Sequence, residues 1–480
     1  MPKRSGPRST PRLDFAAAPG RLTPMFPALR GLLLLASLLA AALVPARAGL
    51  EIASFDADAT PATGSWLAYD PMTASGELTL RCRGVVLTGA GQPIVLCAVD
   101  WIGIANEAHD AFRDQLASAA GTTRERVALH TLHQHDAPWA DFTAGRILAD
   151  HGYAIGVFDP GIVQPAMLRA SNAIRAALTN RQAITHVGWG AAEVHRVASN
   201  RRVPAPDGKI RGVRYTACPD PELRAAPEGT IDPRLVMVSF WDGDRPVTAL
   251  SYYATHPQSY YRTGIANPDF PGIARFMADQ AHPGMMHVHF NGAGGNIGAG
   301  KYNDGAKTNR AVLAGRVANA LERAWKSTRK EPIGAGDVSW EVERVRLPVA
   351  KHLDRRRIES AFARPGPLLN IQASELAWLE RDAAGHRSEV ACLRLGTVRV
   401  LHFPGELFVE YQLAAQQMRP DLHVATAAYG DYAPAYIGTE IAYGQGGYET
   451  SPDASFVDGS VQGVLMPAIM RLLGAAGSGR

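Results

Sequence analysis

The segment Pro93-Ile-Val-Leu-Cys-Ala-Val99 is a short apolar run, which we interpret as a buried strand. An amphipathic helical pattern follows over Asn106–Ala120, and the run Arg126-Val-Ala-Leu-His-Thr-Leu132 predicts the next strand. Strands and helices continue to alternate towards the carboxyl end. This alternation predicts an α/β fold, with a mixed β-sheet flanked by helices.

The remaining chain supplies further elements of both kinds. The turn residues Asp242-Gly-Asp-Arg-Pro246 predict a hairpin between strands at 235–240 and 247–253. Other strands are predicted near 184–194, 285–290 and 398–403, and other helices at about 161–180, 269–280, 306–327, 407–417 and 459–474. No internal repeat or low-complexity linker follows residue 49, so we expect one large catalytic domain over 49–480.

Residues 1–48 are predicted to be a leader that contains a secretory signal. Arg30 precedes an apolar run over 31–44, and Ala46-Arg-Ala48 provides a small-x-small cleavage site. The run of about 14 residues is shorter than the ~20 that a membrane-spanning helix requires. We therefore expect an exported protein that is periplasmic or secreted.

The positive charge of the sequence is concentrated in this leader. The whole chain has 49 basic and 45 acidic residues, which gives a formal net charge of +4. Seven of the basic residues and one acidic residue lie in 1–48, so the rest of the chain has 42 basic and 44 acidic residues. A mature chain this close to neutral gives no electrostatic reason to expect nucleic acid as a partner.

The four cysteines, Cys82, Cys97, Cys218 and Cys392, are widely spaced. No Cys-x-x-Cys pair suggests a zinc knuckle or a redox motif. A disulfide formed outside the cytosol and buried free thiols are both compatible with this spacing.

Histidines cluster in His130-Thr-Leu-His133-Gln-His135, directly after the strand predicted at 126–132. Strand ends are where sites form in α/β sheets. In an extended chain, residues i and i+2 point the same way and lie ~6.6 Å apart. We therefore expect His133 and His135 to present two imidazoles to one side. The motif alone is compatible with metal binding and with a hydrogen-bonded pair in a polar corner.

Two more polar side chains follow predicted strands. His256 lies in Tyr253-Ala-Thr-His-Pro257, where a lone histidine also fits a structural role. Glu406 lies in Phe403-Pro-Gly-Glu, where a carboxylate at a helix start also stabilises the helix dipole.

Other segments have simpler interpretations. Tyr436 and Tyr448 lie in a stretch rich in tyrosine and glycine, where aromatic side chains can also pack loops. We interpret His287-Val-His289 as site wall or core, with a second metal site as the alternative. The sequence contains neither a Gly-x-Ser-x-Gly elbow nor His-Glu-x-x-His, so serine hydrolases and zincins lack their motifs here.

Taken in order, these segments resemble the catalytic domain of the neutral/alkaline (non-lysosomal) ceramidase family over about 51–473. Leu132-His-Gln-His-Asp-Ala-Pro138 is similar to the Thr-His-Thr-His-Ser-Gly-Pro motif of that family. Tyr436 and Tyr448 keep the twelve-residue spacing of its two site tyrosines. The other similar segments are Asp58-Ala-Thr-Pro61, Val99-Asp-Trp-Ile-Gly103, Asn200-Arg201, Ala254-Thr-His-Pro257, Pro268-Asp-Phe-Pro-Gly272 and Pro404-Gly-Glu406.

The resemblance implies a zinc site and an activity. It implies that zinc is held by four ligands and that three further side chains surround the scissile carbonyl. The implied reaction is hydrolysis of an N-acyl amide bond by metal-activated water, with ceramide or a related N-acyl lipid as substrate. A lipid substrate would bring the protein into peripheral contact with a membrane. The implied ligands are His133, His256, Glu406 and Tyr436, and the implied catalytic residues are His135, Arg201 and Tyr448.

Two departures from the family leave other functions open. The family has a serine at the position of Gly298. Because glycine has no hydroxyl, metal-activated water is left as the nucleophile here. Full-length ceramidases continue into an immunoglobulin-like domain, which we do not expect after the last helix predicted here. The alternatives are the same chemistry on a non-lipid amide or ester, and a non-catalytic exported binding protein.

Overall fold

A computed structural model describes residues 49–363 and 366–475, and the predicted leader lies outside the described residues. The predicted α/β class with mixed strands is confirmed, and the strands divide among three main sheets rather than one. Most elements predicted from sequence are present with close bounds, and the helix Asn106–Ala120 has the predicted ends. None of the helices described is both long enough and apolar enough to cross a membrane.

The N-terminal sheet has five strands. Ile94–Val99 is buried at all six positions, as expected for its apolar run. It pairs in parallel with Val127–Thr131, and the other pairs are antiparallel. The helices Asn106–Ala120 and Pro160–Ala177 contact each other and this sheet. In spatial order the strands are Val127–Thr131, Ile94–Val99, Arg81–Thr88, Glu51–Asp58 and Gln182–Ala183.

The central sheet also has five strands. The predicted hairpin is present, since Arg234–Asp242 and Arg245–Tyr253 are antiparallel neighbours. Arg245–Tyr253 pairs in parallel with Met286–Asn291 at the sheet edge. The helices Asp269–Ala281 and Asn309–Lys326 contact each other and this sheet. In spatial order the strands are Met286–Asn291, Arg245–Tyr253, Arg234–Asp242, His186–Glu193 and Arg329–Pro332.

The C-terminal sheet has four strands, and the helices Val409–Met418 and Val461–Leu473 contact it. Val398–His402 pairs in parallel with the edge strand His423–Ala427. In spatial order the strands are Val338–Val345, Ser388–Leu395, Val398–His402 and His423–Ala427. The remaining helices are Phe142–Asp150, Pro221–Ala225, Arg355–Phe362, Leu369–Ala383, Val409–Met418, Glu440–Gln445 and Val461–Leu473.

The three sheets meet where their parallel edge strands end. The Thr131 N–H donates to the Tyr429 carbonyl (2.9 Å), and the Ala428 N–H donates to the Asn291 carbonyl (3.0 Å). The Asn291 side-chain amide donates in turn to the Leu132 carbonyl (3.5 Å). We call this set of bonds the three-sheet junction. The chain segments that leave all three sheets therefore begin close together.

Two groups of residues whose state or role the sequence did not decide are buried in the sheets. The Cys82 and Cys97 sulfurs lie 3.3 Å apart as free thiols, on neighbouring strands. The Ser251 hydroxyl bridges His287 Nε2 (2.9 Å) and His289 Nδ1 (2.8 Å). The second His-x-His is therefore a hydrogen-bonded pair in the core.

A buried ion pair holds the N-terminal sheet against the helix Asp269–Ala281. Both guanidinium Nη atoms of Arg275 donate to the Asp100 carboxylate, at 2.8 and 2.6 Å, and both side chains are at most 4% exposed. Removing one partner of a buried pair leaves an uncompensated charge.

We expect Arg275→Ala to lower the free energy of unfolding by about 3–5 kcal/mol. Chemical denaturation followed by fluorescence measures this change. Arg355→Ala is the matched control. Arg355 forms an exposed ion pair with Glu359, one turn further along the same helix, and such pairs contribute only ~0.3–0.5 kcal/mol. Equal losses in the two variants would contradict a special role for the buried pair.

Candidate active site

Two imidazoles and one carboxylate converge beside the three-sheet junction. His133 follows the N-terminal sheet, His256 the central sheet and Glu406 the C-terminal sheet. The Nε2 atoms of His133 and His256 lie 3.3 and 3.0 Å from the same Glu406 oxygen, Oε2. All three side chains are at most 2% exposed. Each sheet thus supplies one of three side chains that meet at a single point.

Backbone carbonyls fix the tautomer of both histidines. His133 Nδ1 donates to the Ile102 carbonyl (2.7 Å), and His256 Nδ1 donates to the Gly294 carbonyl (2.7 Å). A neutral imidazole carries one N–H, so each Nε2 presents a lone pair to Glu406. Burial lowers the pKa of both rings well below the ordinary value, which keeps them neutral.

Glu406 has one satisfied oxygen and one that lacks a donor. The Tyr432 hydroxyl donates to Oε1 at 2.6 Å. Oε2 is buried and has no hydrogen-bond partner among the described residues. Two nitrogen lone pairs and a carboxylate oxygen therefore face one another without a proton between them, and one ligand atom from each residue lies within 4.8 Å of the others. This donor set fits a divalent metal ion.

The fourth residue predicted as a ligand, Tyr436, lies beside this triad. Its hydroxyl is 3.1 Å from His256 Nε2 and accepts from Arg201 Nη1 at 3.0 Å. The same Nη1 lies 2.9 Å from His256 Nε2. Burial raises the pKa of the Tyr436 phenol well above its ordinary value, and Arg201 opposes that rise.

Arg201 is held by a carboxylate that we did not predict as a site residue. Glu449 is fully buried and pairs with Arg201 Nε (3.2 Å) and with Arg202 Nη1 (3.3 Å). Gly298 gives the Arg201 side chain its room, because a Cβ there would lie 3.3 Å from Arg201 Cγ and 3.7 Å from His256 Cβ. The glycine that departs from the family pattern is therefore in contact with the site.

His135 also reaches the site, although the expected extended geometry is wrong. His133 has φ 64°, so the chain turns through the left-handed region there and the rings of His133 and His135 meet edge to face with centroids 4.8 Å apart. His135 Nδ1 donates to the His133 carbonyl (3.0 Å), which leaves Nε2 as a lone pair. Burial lowers the pKa of His135 to about 3.

One cavity joins most of these side chains. It encloses about 400 Å³ and is lined by six of the seven residues predicted from sequence, all except His256. Tyr448, the most exposed of the seven at 39%, packs its ring 5.8 Å from that of Tyr436. Trp139, Ile371 and Phe456 add apolar surface to the wall.

Comparison with known proteins bears on the fold. Neither a family model nor a curated protein matches the sequence. Neutral ceramidase from Pseudomonas aeruginosa is a similar solved structure, with a TM-score of 0.63 and 18% identity over 88% of this chain and 73% of that chain. A ceramidase complexed with C2 has the same TM-score and identity, over 88% of this chain and 74% of that chain. The chain has the neutral ceramidase fold. The fold that the sequence resemblance implied is thereby confirmed.

Two side chains of this site were missed from sequence. Tyr432 and Glu449 lie in the tyrosine-rich and glycine-rich stretch that contains Tyr436 and Tyr448. Each acts on a residue from elsewhere in the chain, Tyr432 on Glu406 and Glu449 on Arg201. The only sequence signal for either residue was a polar side chain within four residues of a predicted site residue.

We expect Tyr432→Phe to weaken divalent metal binding by about 10–100-fold, because outer partners orient metal ligands. Competition with a chromophoric chelator measures the affinity directly. Tyr443→Phe is the control, since that hydroxyl bonds Ser455 (2.8 Å) rather than a ligand. Unchanged affinity in Tyr432→Phe would show that its bond to Glu406 does not support the metal site.

Proposed function

We propose that this protein is an exported, zinc-dependent hydrolase of an N-acyl amide bond and a member of the neutral/alkaline ceramidase family. The observation that carries the proposal is the buried set of lone pairs on His133, His256 and Glu406, which adjoins a cavity shared with Arg201 and His135. The ceramidase fold supports ceramide or a related N-acyl lipid as the substrate.

The residues that would hold zinc are His133, His256 and Glu406, with the Tyr436 hydroxyl beside them. Nitrogen and oxygen donors of this kind are typical of catalytic zinc. Zinc bound there would supply Lewis acidity towards the substrate carbonyl and towards water.

His135 is suited to move the proton. Its ring is neutral, its Nδ1 is fixed on a backbone carbonyl, and its Nε2 lone pair is free at the cavity. We assign Nε2 as the atom that accepts a proton from the attacking water and returns it to the leaving nitrogen.

Arg201 and Tyr448 are suited to stabilise the carbonyl oxygen as it gains negative charge. Both line the cavity, and the Arg201 guanidinium lies 5.8 Å from the centre of the Tyr448 ring. One such donor contributes about 2.7–4 kcal/mol in other hydrolases. Glu449 is a positioning residue, since its contact with the site runs through Arg201.

A specific observation also favours a smaller, more polar substrate. The cavity volume of about 400 Å³ is in the lower part of the ~300–1,000 Å³ range of small-molecule sites. Trp139 Nε1 and Ser374 Oγ are buried there without hydrogen-bond partners among the described residues. Unpaired polar atoms fit a polar acyl group better than a long alkyl chain. The second candidate is therefore the same reaction on a small non-lipid amide or ester.

The test is acyl release by purified protein from a ceramide and from a short N-acyl amide, with and without a zinc chelator. We expect release that the chelator abolishes and added zinc restores. Release from the short amide alone would favour the second candidate. A protein that binds stoichiometric zinc and cleaves neither compound, nor the matching esters, would be a binding protein and would overturn the proposal.

We expect His135→Ala to lower kcat by about 10²–10⁴-fold, the usual contribution of a proton-transferring side chain. Metal content, measured by mass spectrometry, should stay at the wild-type level, because His135 is not among the three converging ligands. His195→Ala is the control, since that side chain is 70% exposed. Wild-type turnover in His135→Ala would remove its assigned role.

A further inference from the structure

An arginine lines the active-site cavity without a carboxylate partner. The Arg262 guanidinium lies over two tyrosine rings, 5.2 Å from the centre of Tyr69 and 5.7 Å from that of Tyr261. The side chain is exposed, and no acidic residue within 49–363 or 366–475 forms an ion pair with it. Arg201, the other arginine of the cavity, is paired with Glu449. Arg262 therefore presents an uncompensated positive charge to the cavity.

Arg262 lies in the loop 254–264, which side-chain hydrogen bonds hold to Asp136 and Asp70. Arg262 has φ 63°, a conformation that costs free energy in a non-glycine residue. The Thr263 hydroxyl donates to Asp136 (2.8 Å), and the Gly264 N–H donates to Asp70 (2.9 Å). The Asp136 and Asp70 carboxylates are thus engaged by residues that follow Arg262. The same bonds hold the strained residue in place.

The Arg262 loop also adjoins the residue to which we assign proton transfer. The Tyr69 ring stacks on His135 with centroids 5.7 Å apart, and the Tyr261 ring meets the His135 edge at 5.1 Å. His135 delivers its proton to the leaving nitrogen in the proposed reaction. The amine portion of the substrate therefore lies on the side of the cavity that Arg262 faces.

A second unpaired polar group comes from the same loop. The Gln258 side chain lines the cavity and is 4% exposed. Its amide oxygen is buried and has no hydrogen-bond partner among the described residues. The unpaired amide oxygen calls for a hydrogen-bond donor and the unpaired guanidinium for an acceptor, so this wall favours a polar group of the substrate over an alkyl chain.

We propose that Arg262 binds an anionic group, a carboxylate or a phosphate, on the amine portion of the substrate. The guanidinium group is planar and matches either anion with two parallel N–H donors, and flanking aromatic rings suit it. The substrate class is then N-acyl amino acids or N-acyl amino alcohols that carry a phosphate. This inference rests on the proposed amide hydrolysis and adds a charge preference to it.

Three amides that share one acyl chain provide the test. N-acylethanolamine is neutral, N-acylglycine carries a carboxylate, and N-acyl-O-phosphoethanolamine carries a phosphate. We expect the protein to cleave at least one charged amide with a kcat/KM about tenfold or more above that of the neutral amide, as a charge-assisted hydrogen bond predicts. The charged amide that is preferred identifies the source of the anion.

Variants of Arg262 separate binding of charge from support of the loop. Arg262→Gln should raise KM for the preferred charged amide about tenfold and leave the neutral amide within about twofold. Arg262→Lys should recover part of the loss, because it restores the charge without the planar fork. Arg356→Gln is the matched control, an exposed arginine with no ion pair among the described residues.

Hydrolysis and charge preference can fail separately. Equal cleavage of all three amides, or an equal loss for all three in Arg262→Gln, would overturn the inference and leave amide hydrolysis standing. If no amide is cleaved, calorimetry measures the binding of N-acylglycine and N-acyl-O-phosphoethanolamine to the wild type and to Arg262→Gln instead. Binding that weakens in Arg262→Gln would then support the anion site alone, and binding that does not change would overturn it.

Discussion

The backbone hydrogen bonds of the three-sheet junction are the constraint on which the rest of the site depends. They join Thr131 to Tyr429 and Ala428 to Asn291, where three parallel edge strands end. His133, His256 and Glu406 follow strands of the three different sheets within a few residues of their ends. A side chain this close to a strand end has little freedom of its own. Its position is therefore set by how the sheets join, and the distances among the three side chains follow from the fold.

The junction also maintains an arrangement that is unfavourable by itself. Three buried electron-pair donors point at one another, and His133, Tyr429 and Ala435 all have positive φ values near them. Strained backbone and unpaired buried atoms each cost free energy and persist only where the surroundings over-determine them. Here the surroundings include the carbonyl acceptors of both histidines and the Tyr432 hydroxyl. The fold therefore keeps these three side chains preorganised at a cost in the free energy of folding.

Sequence patterns predicted elements better than they predicted contacts. The helix Asn106–Ala120 and the hairpin between Arg234–Asp242 and Arg245–Tyr253 could be found because periodicity and turn chemistry are local. The strands Glu51–Asp58 and Ser388–Leu395 were missed, since each mixes buried apolar with charged residues. The seven candidate residues came from motif order, and their roles stay predictions.

The geometry between those residues could not be predicted in the same way. The extended arrangement expected for His133 and His135 failed because His133 bonds the Trp101 carbonyl and turns through a positive φ. The Tyr432 contact joins the segments that follow two neighbouring strands of the C-terminal sheet, and the Glu449 contact joins a segment that follows this sheet to Arg201, which follows a strand of the central sheet. Such contacts are properties of the tertiary structure, which local patterns do not encode.

The spread of the three ligands along the chain has a consequence for the order of assembly. His133 and His256 are 123 residues apart, and His256 and Glu406 are 150 residues apart. Contacts between such distant positions form only after the entropy of closing long loops has been lost. A chain synthesised from its amino terminus holds at most two of the three ligands until its last sheet is made. Under the proposed function, high-affinity metal capture would be postponed to the final stage of folding, and possession of the metal would be a mark of a completed molecule.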